Sequence, residues 1–185
     1  HPGALAHLDP PPITASIVAE LISAGLNNNL LAEELSPSIT KLERGLCRWF
    51  AEQLCMPETS GGVSVSGGSL TNLMALLVAR SKVQIPLPSN LFVIASEESH
   101  VSISRALSVM GLKSDAFCKV STDDEGKIRI NSLKEKYYEY KSKGKNCFAV
   151  IATAGTTVRG AVDPIEEISD FCESEGLWLH IDAAI

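Results

Sequence analysis

The chain has 185 residues, 45% of them apolar, with a formal net charge of −6. That length suits one domain or a large part of one, and the apolar share supports a real core and argues against disorder. Acids and bases are interspersed, so no electrostatic footprint for nucleic acid or an anionic membrane is present, and no apolar run approaches a membrane span.

In chain order, residues 1–12 are rich in Pro and Gly and read as irregular. Residues 14–25 read as a short helix ending near Gly25. Ser36-Pro37 reads as a helix start, since Ser can cap and Pro lacks only an N–H that would be unpaired there. Ile39, Leu42, Leu46, Trp49 and Phe50 then recur at helical spacing. Val63-Ser64-Val65 reads as a short strand, and Leu70, Leu73, Met74 and Leu77 as the apolar stripe of another helix. After a Pro-bearing connector from Ile85 to Asn90, strands and helices alternate. Strands are predicted at 91–95, 116–120, 148–152 and 177–181, and helices at 101–110 and 131–143. A further helix carries Ile165, Ile168 and Cys172 on one face, with Asp163-Pro164 as its cap. Regular strand–helix alternation predicts an α/β fold, a mostly parallel sheet with helices on both faces.

Ligands of such sheets gather at the carboxyl ends of the strands, and every candidate motif falls there. Ser66-Gly67-Gly68-Ser69 lies between a predicted strand and a helix. Glycines let backbone approach an anion, and the helix start favours negative charge. The plain alternative is a strand-to-helix turn with a serine cap. His100 follows Ser96-Glu97-Glu98-Ser99 just beyond a strand, where a hydrogen-bonded structural histidine is the simpler reading. Thr153-Ala154-Gly155-Thr156-Thr157 closes another strand with small hydroxyl residues. His180 and Asp182, two apart, share one face of the last strand. A carboxylate there is costly to bury unpaired and calls for a cation, or for an ordinary ion pair or a cap. A protonated pyridine nitrogen is one cation that would serve.

The five cysteines (47, 55, 118, 147 and 172) are odd in number and widely spaced. They predict no disulfide framework and no zinc site, and instead reduced, mostly buried thiols in a cytoplasmic protein. No secretory signal pattern opens the chain, and its first residue is His1 rather than Met, so the natural start is expected to lie elsewhere.

Taken together and in this order, these motifs resemble the group II pyridoxal-phosphate-dependent amino acid decarboxylases, which act on glutamate, cysteine sulfinate, aromatic amino acids, histidine and diaminobutyrate. The resemblance runs from His1-Pro2 through Ser36-Pro37-Ser38-Ile39-Thr40-Lys41-Leu42-Glu43 to His180-Ile181-Asp182-Ala183-Ala184. It implies a fold type I large domain built on a seven-stranded, mostly parallel sheet and truncated here at both ends. Residues 1–35 would form an N-terminal arm and helix segment, and 36–185 part of the cofactor domain. It also implies pyridoxal 5′-phosphate as cofactor, no metal, an amino acid substrate and a homodimer. By motif, Gly68 and Ser69 would hold the phosphate and Thr157 would contact the cofactor. His100 would stack on the pyridine ring and handle a proton. Asp182 would pair with the ring nitrogen, and Ala184 would pack on the opposite ring face. A histidine in the stacking position favours decarboxylases over aminotransferases, which more often place an aromatic ring there.

The implied reaction is loss of carbon dioxide from an L-amino acid to give the amine, after the substrate amine replaces an enzyme lysine on the cofactor. That lysine follows a His beyond the Asp-Ala-Ala motif in the family, whereas no lysine follows Lys145 here. Set against the resemblance, the family's N-terminal segment, which packs on the partner subunit, is also expected to be missing here. The expectation is therefore that this polypeptide alone does not turn over, and that a longer parent does. His7, Leu8 and Asp9 fall where aromatic amino acid decarboxylases place the residues that receive the substrate ring, and a His and an Asp make a poor aromatic slot. Together with Asn27-Asn28-Asn29 they suggest a polar or charged aliphatic amino acid. Another fold type I pyridoxal enzyme (a lyase, aldolase or aminotransferase) and a non-catalytic folded fragment are the competing readings. An unrelated doubly wound domain binding a nucleotide phosphate through Ser66 to Ser69 is disfavoured, because this chain has neither G-x-G-x-x-G nor the Walker lysine.

Overall fold

A computed structural model of the chain describes residues 11–83 and 90–184. His7, Leu8 and Asp9, and all of the Pro-bearing connector except Asn90, lie outside the described residues. The chain divides into two compact units between Ser64 and Val65.

The first unit holds helix α1 (Thr14–Leu26), a 3-10 turn (Glu33–Leu35) and helix α2 (Pro37–Gln53). The first helix runs through Gly25 and ends at Asn27, whose left-handed conformation (φ 46°) turns its N–H onto Ser23 O. Asn is one of the few residues with a side chain that visits this region readily. Pro37 opens α2 as predicted, but the Ser36 side chain makes no capping hydrogen bond. Its backbone is at φ −151° and ψ 66°, and its carbonyl rather than its hydroxyl serves the helix by accepting Thr40 N–H. Leu42, Leu46, Trp49 and Phe50 are exposed. Residues 63 and 64 form no strand. The Ser64 N–H and hydroxyl are donated to the Glu43 carboxylate, where a sheet ladder would have needed the N–H. These bonds hold the Glu43 carboxyl below the ordinary carboxylate range.

The second unit is an open α/β layer. Its elements are α3 (Gly68–Lys82), β1 (Leu91–Ser96), α4 (Ser102–Val109), β2 (Phe117–Val120), α5 (Ile130–Ser142), β3 (Asn146–Thr153), α6 (Ile165–Glu175) and β4 (Leu179–Asp182). From β1 onward, each predicted boundary lies within two residues of the observed one. The described strands pair in the order β2-β1-β3-β4, and every pairing is parallel. Burial on both faces explains why these strands read as unbroken apolar runs: all six residues of β1 are buried.

Two cores flank the sheet. On one face Val93, Ala95, Ala149 and Ile151 pack with Leu76 and Ala79 of α3 and Ile103, Ala106 and Leu107 of α4. On the other, Phe92, Ile94, Val150 and Ala152 pack with Leu133 and Tyr137 of α5 and Ile168, Phe171 and Cys172 of α6. Each such fully buried Ile or Phe contributes roughly 1.5–3 kcal/mol. Helix α3 presents a different stripe from the one its leucines predict. Leu73 packs half-buried on the core as predicted, but Leu70, Met74 and Leu77 are exposed, and the buried residues are Asn72, Leu76 and Ala79.

Asp163 also departs from expectation. It does not cap α6, which begins after Pro164 without a side-chain cap. Its carboxylate instead accepts Ile128 N–H and Thr153 N–H, each at 2.8 Å, bracing the end of β3 against the segment before α5. Two of the five cysteines, Cys118 and Cys172, are buried, fewer than expected; Cys47 and Cys147 are half-buried and Cys55 is exposed.

Candidate active site

The chain enters the sheet at β1, crosses to β2 on one side, and returns to β3 on the other side of β1. The strand order thus reverses between β1 and β3, and a crevice opens beyond their carboxyl ends at such a point. Ser96 and then His100 leave β1 there, Thr153 leaves β3, and Asp182 ends β4 beside it in register with Thr153. The start of α3 lies at the same end, because Gly68 meets Ala184 just past β4. A β-carbon on Gly68 would stand 2.9 Å from the Ala184 Cβ. The preceding Gly67 has φ 94°, which only glycine adopts without strain.

Asp182 is 7% exposed. Its Oδ2 accepts the Asn72 side-chain N–H at 2.9 Å, and its Oδ1 accepts Ala184 N–H at 3.3 Å. No arginine or lysine pairs with it among the described residues. A carboxylate has about four lone-pair sites, so capacity remains for a further donor. His180, on the same face, donates Nε2–H to Asn72 Oδ1 at 2.7 Å. Burial pushes the His180 pKa down, with a partial offset from Asp182.

The Asn72 amide nitrogen also donates to Ser102 Oγ at 2.9 Å. Ser102 lies 2.9 Å from His100 Nδ1 through its hydroxyl, and its backbone N–H donates to the same atom at 3.2 Å. His100 Nδ1 therefore accepts, which leaves the ring hydrogen on Nε2. The His100 residue is exposed, as a ring that stacks on a ligand must be in the ligand's absence.

Ser69 stands in the exposed first turn of α3, and its hydroxyl has no partner among the described residues. Thr157 is exposed at the turn after β3, and no hydrogen bond joins it to the network among the described residues. Its neighbour Thr156 is buried and closes that turn, its Oγ1 accepting Ala161 N–H at 3.0 Å. Among the described residues the Thr153 hydroxyl is buried without a partner, on the residue in register with Asp182. The structure thus brings together Gly68, His100, Asp182 and Ala184 of the predicted set. It adds Asn72 and Ser102, which sequence reasoning did not assign. The signal for Asn72 was a polar residue at the helical spacing of Leu76 and Ala79. Among the described residues, no group of three or more His, Cys, Asp or Glu is placed to hold a metal ion. No described helix is long and apolar enough to cross a membrane.

The arrangement suits a flat heteroaromatic ligand that carries an anionic group. A free helix start can take the anion, a buried carboxylate can take a ring N–H, and an exposed imidazole borders the space between them.

Comparison with known proteins gives the same answer independently. Residues 6–185 match the family model described as the pyridoxal-dependent decarboxylase conserved domain. An aromatic-L-amino-acid decarboxylase of Bacillus atrophaeus is 37% identical over 184 residues, covering 100% of this chain and 38% of that protein. An acidic amino acid decarboxylase of Bos taurus is 35% identical over 176 residues, covering 91% of this chain and 34% of that protein. Among solved structures, the glutamate decarboxylase domain of a diaminobutyrate-pyruvate transaminase and L-2,4-diaminobutyrate decarboxylase from Vibrio parahaemolyticus superposes with a TM-score of 0.93 at 30% identity. It is matched over 100% of this chain and 43% of that one. The chain therefore spans well under half the length of the relatives it matches.

Proposed function

The chain belongs to the pyridoxal-dependent decarboxylase family, and on that premise we propose that the protein removes carbon dioxide from an L-amino acid to give the amine, with pyridoxal 5′-phosphate seated in the crevice between β1 and β3. The observation that carries this reading is the buried Asp182, held by Asn72 and Ala184 N–H with acceptor capacity to spare. The residues present fit the cofactor. The close approach of Gly68 to Ala184 leaves no room for a side chain, and the Thr153 hydroxyl awaits a partner.

Bound in this way, pyridoxal phosphate would supply the electron sink for the electron pair left on the α-carbon as carbon dioxide departs. The chain's own residues bind and orient. Gly68 and Ser69, with the open N–H groups of α3, would take the phosphate, and Thr157, in the turn after β3, would contact the cofactor. Asp182 would hold a proton on the ring nitrogen. His100, its Nδ1 engaged by Ser102, would stack on the ring, and Ala184 would pack on the opposite face. Positioning of this kind supplies a large part of the rate by removing the search for a reactive geometry.

The substrate we infer is a polar or charged aliphatic L-amino acid. Support comes from His7, Leu8 and Asp9 and from the polar run Asn27-Asn28-Asn29. The relatives' names cover both acidic and aromatic amino acids, so a substrate panel decides. We also infer a homodimer, by analogy with the family, and a cytoplasmic location, from cysteines that form no framework. The test is carbon dioxide release by the longer parent protein supplied with pyridoxal phosphate and a panel of L-amino acids, with this chain alone, in which no lysine follows Lys145, expected to release none. Release with an amine product supports the reading. An amino acid that is transaminated or cleaved elsewhere, with no carbon dioxide formed, overturns it.

A further inference from the structure

Asn72 occupies a position where packing alone asks for an apolar residue. It is 3% exposed and shares the buried stripe of α3 with Leu76 and Ala79, both 0% exposed. Burying an amide costs free energy unless its donors and acceptor are satisfied, and here they are. One N–H goes to Asp182 Oδ2 at 2.9 Å, the other to Ser102 Oγ at 2.9 Å, and Oδ1 accepts His180 Nε2–H at 2.7 Å. The orientation of the amide follows from chemistry. Turned over, it would set its oxygen against a carboxylate oxygen. With the nitrogen facing Asp182, the oxygen faces His180, which must then carry its hydrogen on Nε2.

The same amide reaches His100 through one hydroxyl. Asn72 donates to Ser102 Oγ, so the Ser102 hydroxyl hydrogen is free to point at His100 Nδ1, 2.9 Å away. The Ser102 N–H already aims at that nitrogen. The carboxylate and the imidazole that border the crevice are thus held by one side chain anchored in a rigid helix.

We propose that Asn72 is the positioning residue of the cofactor site, a single buried carboxamide that sets the Asp182 carboxylate directly and the His100 ring through Ser102. This rests on the pyridoxal phosphate reading of the crevice. A carboxylate that could rotate would have to be ordered when the ring nitrogen arrives, whereas one held by Asn72 and Ala184 N–H is ordered beforehand. His180 acts as the lock: its N–H occupies the amide oxygen and prevents the amide from turning.

The experiment uses the full chain with Asn72→Leu, which keeps the branched shape of the side chain and suits a buried helix stripe, and Ser102→Ala. Leu76→Val on the same stripe is the packing control. Imidazole nitrogen-15 resonances are recorded without cofactor. Pyridoxal 5′-phosphate labelled with nitrogen-15 in its ring is then titrated in. In the unaltered chain both imidazoles give the signature of hydrogen on Nε2. Asn72→Leu is expected to move the His180 and His100 resonances together, to weaken pyridoxal phosphate binding about tenfold, as loss of one hydrogen bond to a charged group implies, and to lower the protonated share of the ring nitrogen. Ser102→Ala is expected to move His100 alone. Leu76→Val is expected to lower the melting temperature and move neither histidine nor the ring nitrogen.

Asn72→Leu with unaltered affinity and an unaltered ring-nitrogen shift overturns the proposal, and so do unmoved imidazole resonances. Should Asn72→Leu fail to fold, Ser102→Ala decides, because unmoved His100 resonances overturn it equally. A chain that binds no pyridoxal phosphate refutes the cofactor reading instead, while the imidazole arm still tests the role of Asn72.

Discussion

The Ala184 methyl lies 2.9 Å from where a β-carbon on Gly68 would stand. Carbon atoms do not approach so closely without something moving, so the first residue of α3 and the segment after β4 are fitted to each other. The proposed phosphate end of the site and its proposed ring end are joined at this point. Gly68→Ala should therefore cost about 1–3 kcal/mol, the usual penalty for overpacking. Ala184→Gly should relieve it, because the two methyls compete for one space. Urea denaturation of both single variants and the double variant checks this. The double variant should recover most of the loss, with a coupling energy of at least about 0.5 kcal/mol.

Asp182→Asn keeps the shape of the side chain and an oxygen for the Asn72 N–H at the Oδ2 position, while Ala184 N–H, 3.3 Å from Oδ1, loses its acceptor. It removes the negative charge facing the crevice. The fold should be retained, with the melting temperature shifted by no more than a few degrees, in line with about 1 kcal/mol for an isosteric change. Pyridoxal phosphate affinity should fall about 10- to 100-fold, the range for losing a hydrogen bond to a charged partner. Fluorescence titration measures the affinity. Equal affinity in both proteins would remove Asp182 from the site.

The sheet was legible in the sequence because its strands are buried on both faces. Residues 91–95 and 147–152 then read as unbroken apolar runs between helices of amphipathic pattern. The site was legible where a residue's chemistry shows in its local pattern, as for a His and an Asp at the end of a strand. It was illegible where a polar residue does internal work. Asn72 lies off the stripe that the leucines suggest, yet it is buried with Leu76 and Ala79, while Leu70, Met74 and Leu77 are exposed. Asp163 next to Pro164 reads as a cap, but its partners are backbone N–H groups 10 and 35 residues away in sequence. Long-range partners of this kind leave no periodic trace in the chain.

Asp163 yields a stability prediction with a definite pH sign. Its carboxylate serves Ile128 N–H and Thr153 N–H, and Asp163→Ala would leave both buried donors unmatched, at a cost of about 2–4 kcal/mol. Burial raises its pKa above the ordinary 3.8, against the lowering effect of the two N–H groups. The folded protein thus keeps this proton over a window above pH 3.8 in which the unfolded chain has lost it. The Asp163 contribution is complete below that window and declines as pH rises through it. The stability difference between the unaltered chain and Asp163→Ala should therefore be larger at pH 3.8 than at pH 7. Urea titrations at both values test this, and a difference that grows with pH would contradict the burial argument.

Glu175 should behave in the opposite sense. Tyr138 OH at 2.7 Å, Lys141 Nζ at 2.9 Å and Tyr137 OH at 2.9 Å all donate to its carboxylate, tying α6 to α5. The Tyr138 bond first, then Lys141 and Tyr137, lower its pKa from 4.5 to about 2. Protonating Glu175 removes an acceptor that these donors need, so its contribution is present above pH 4.5 and lost as pH falls towards 2. Glu175→Gln cannot titrate and has no such acid limb. The stability gap between the unaltered chain and Glu175→Gln should stay constant between pH 7 and 5 and narrow by pH 3. His180 adds an acid limb of its own at higher pH, because burial depresses its pKa below 6.5. That limb is common to both proteins and cancels in the gap. Added salt should reduce only the Lys141 share, since mobile ions screen exposed charges and leave the tyrosine hydrogen bonds in place. A gap that vanishes in high salt at pH 7 would mean that the lysine, and not the two phenols, holds this helix pair together.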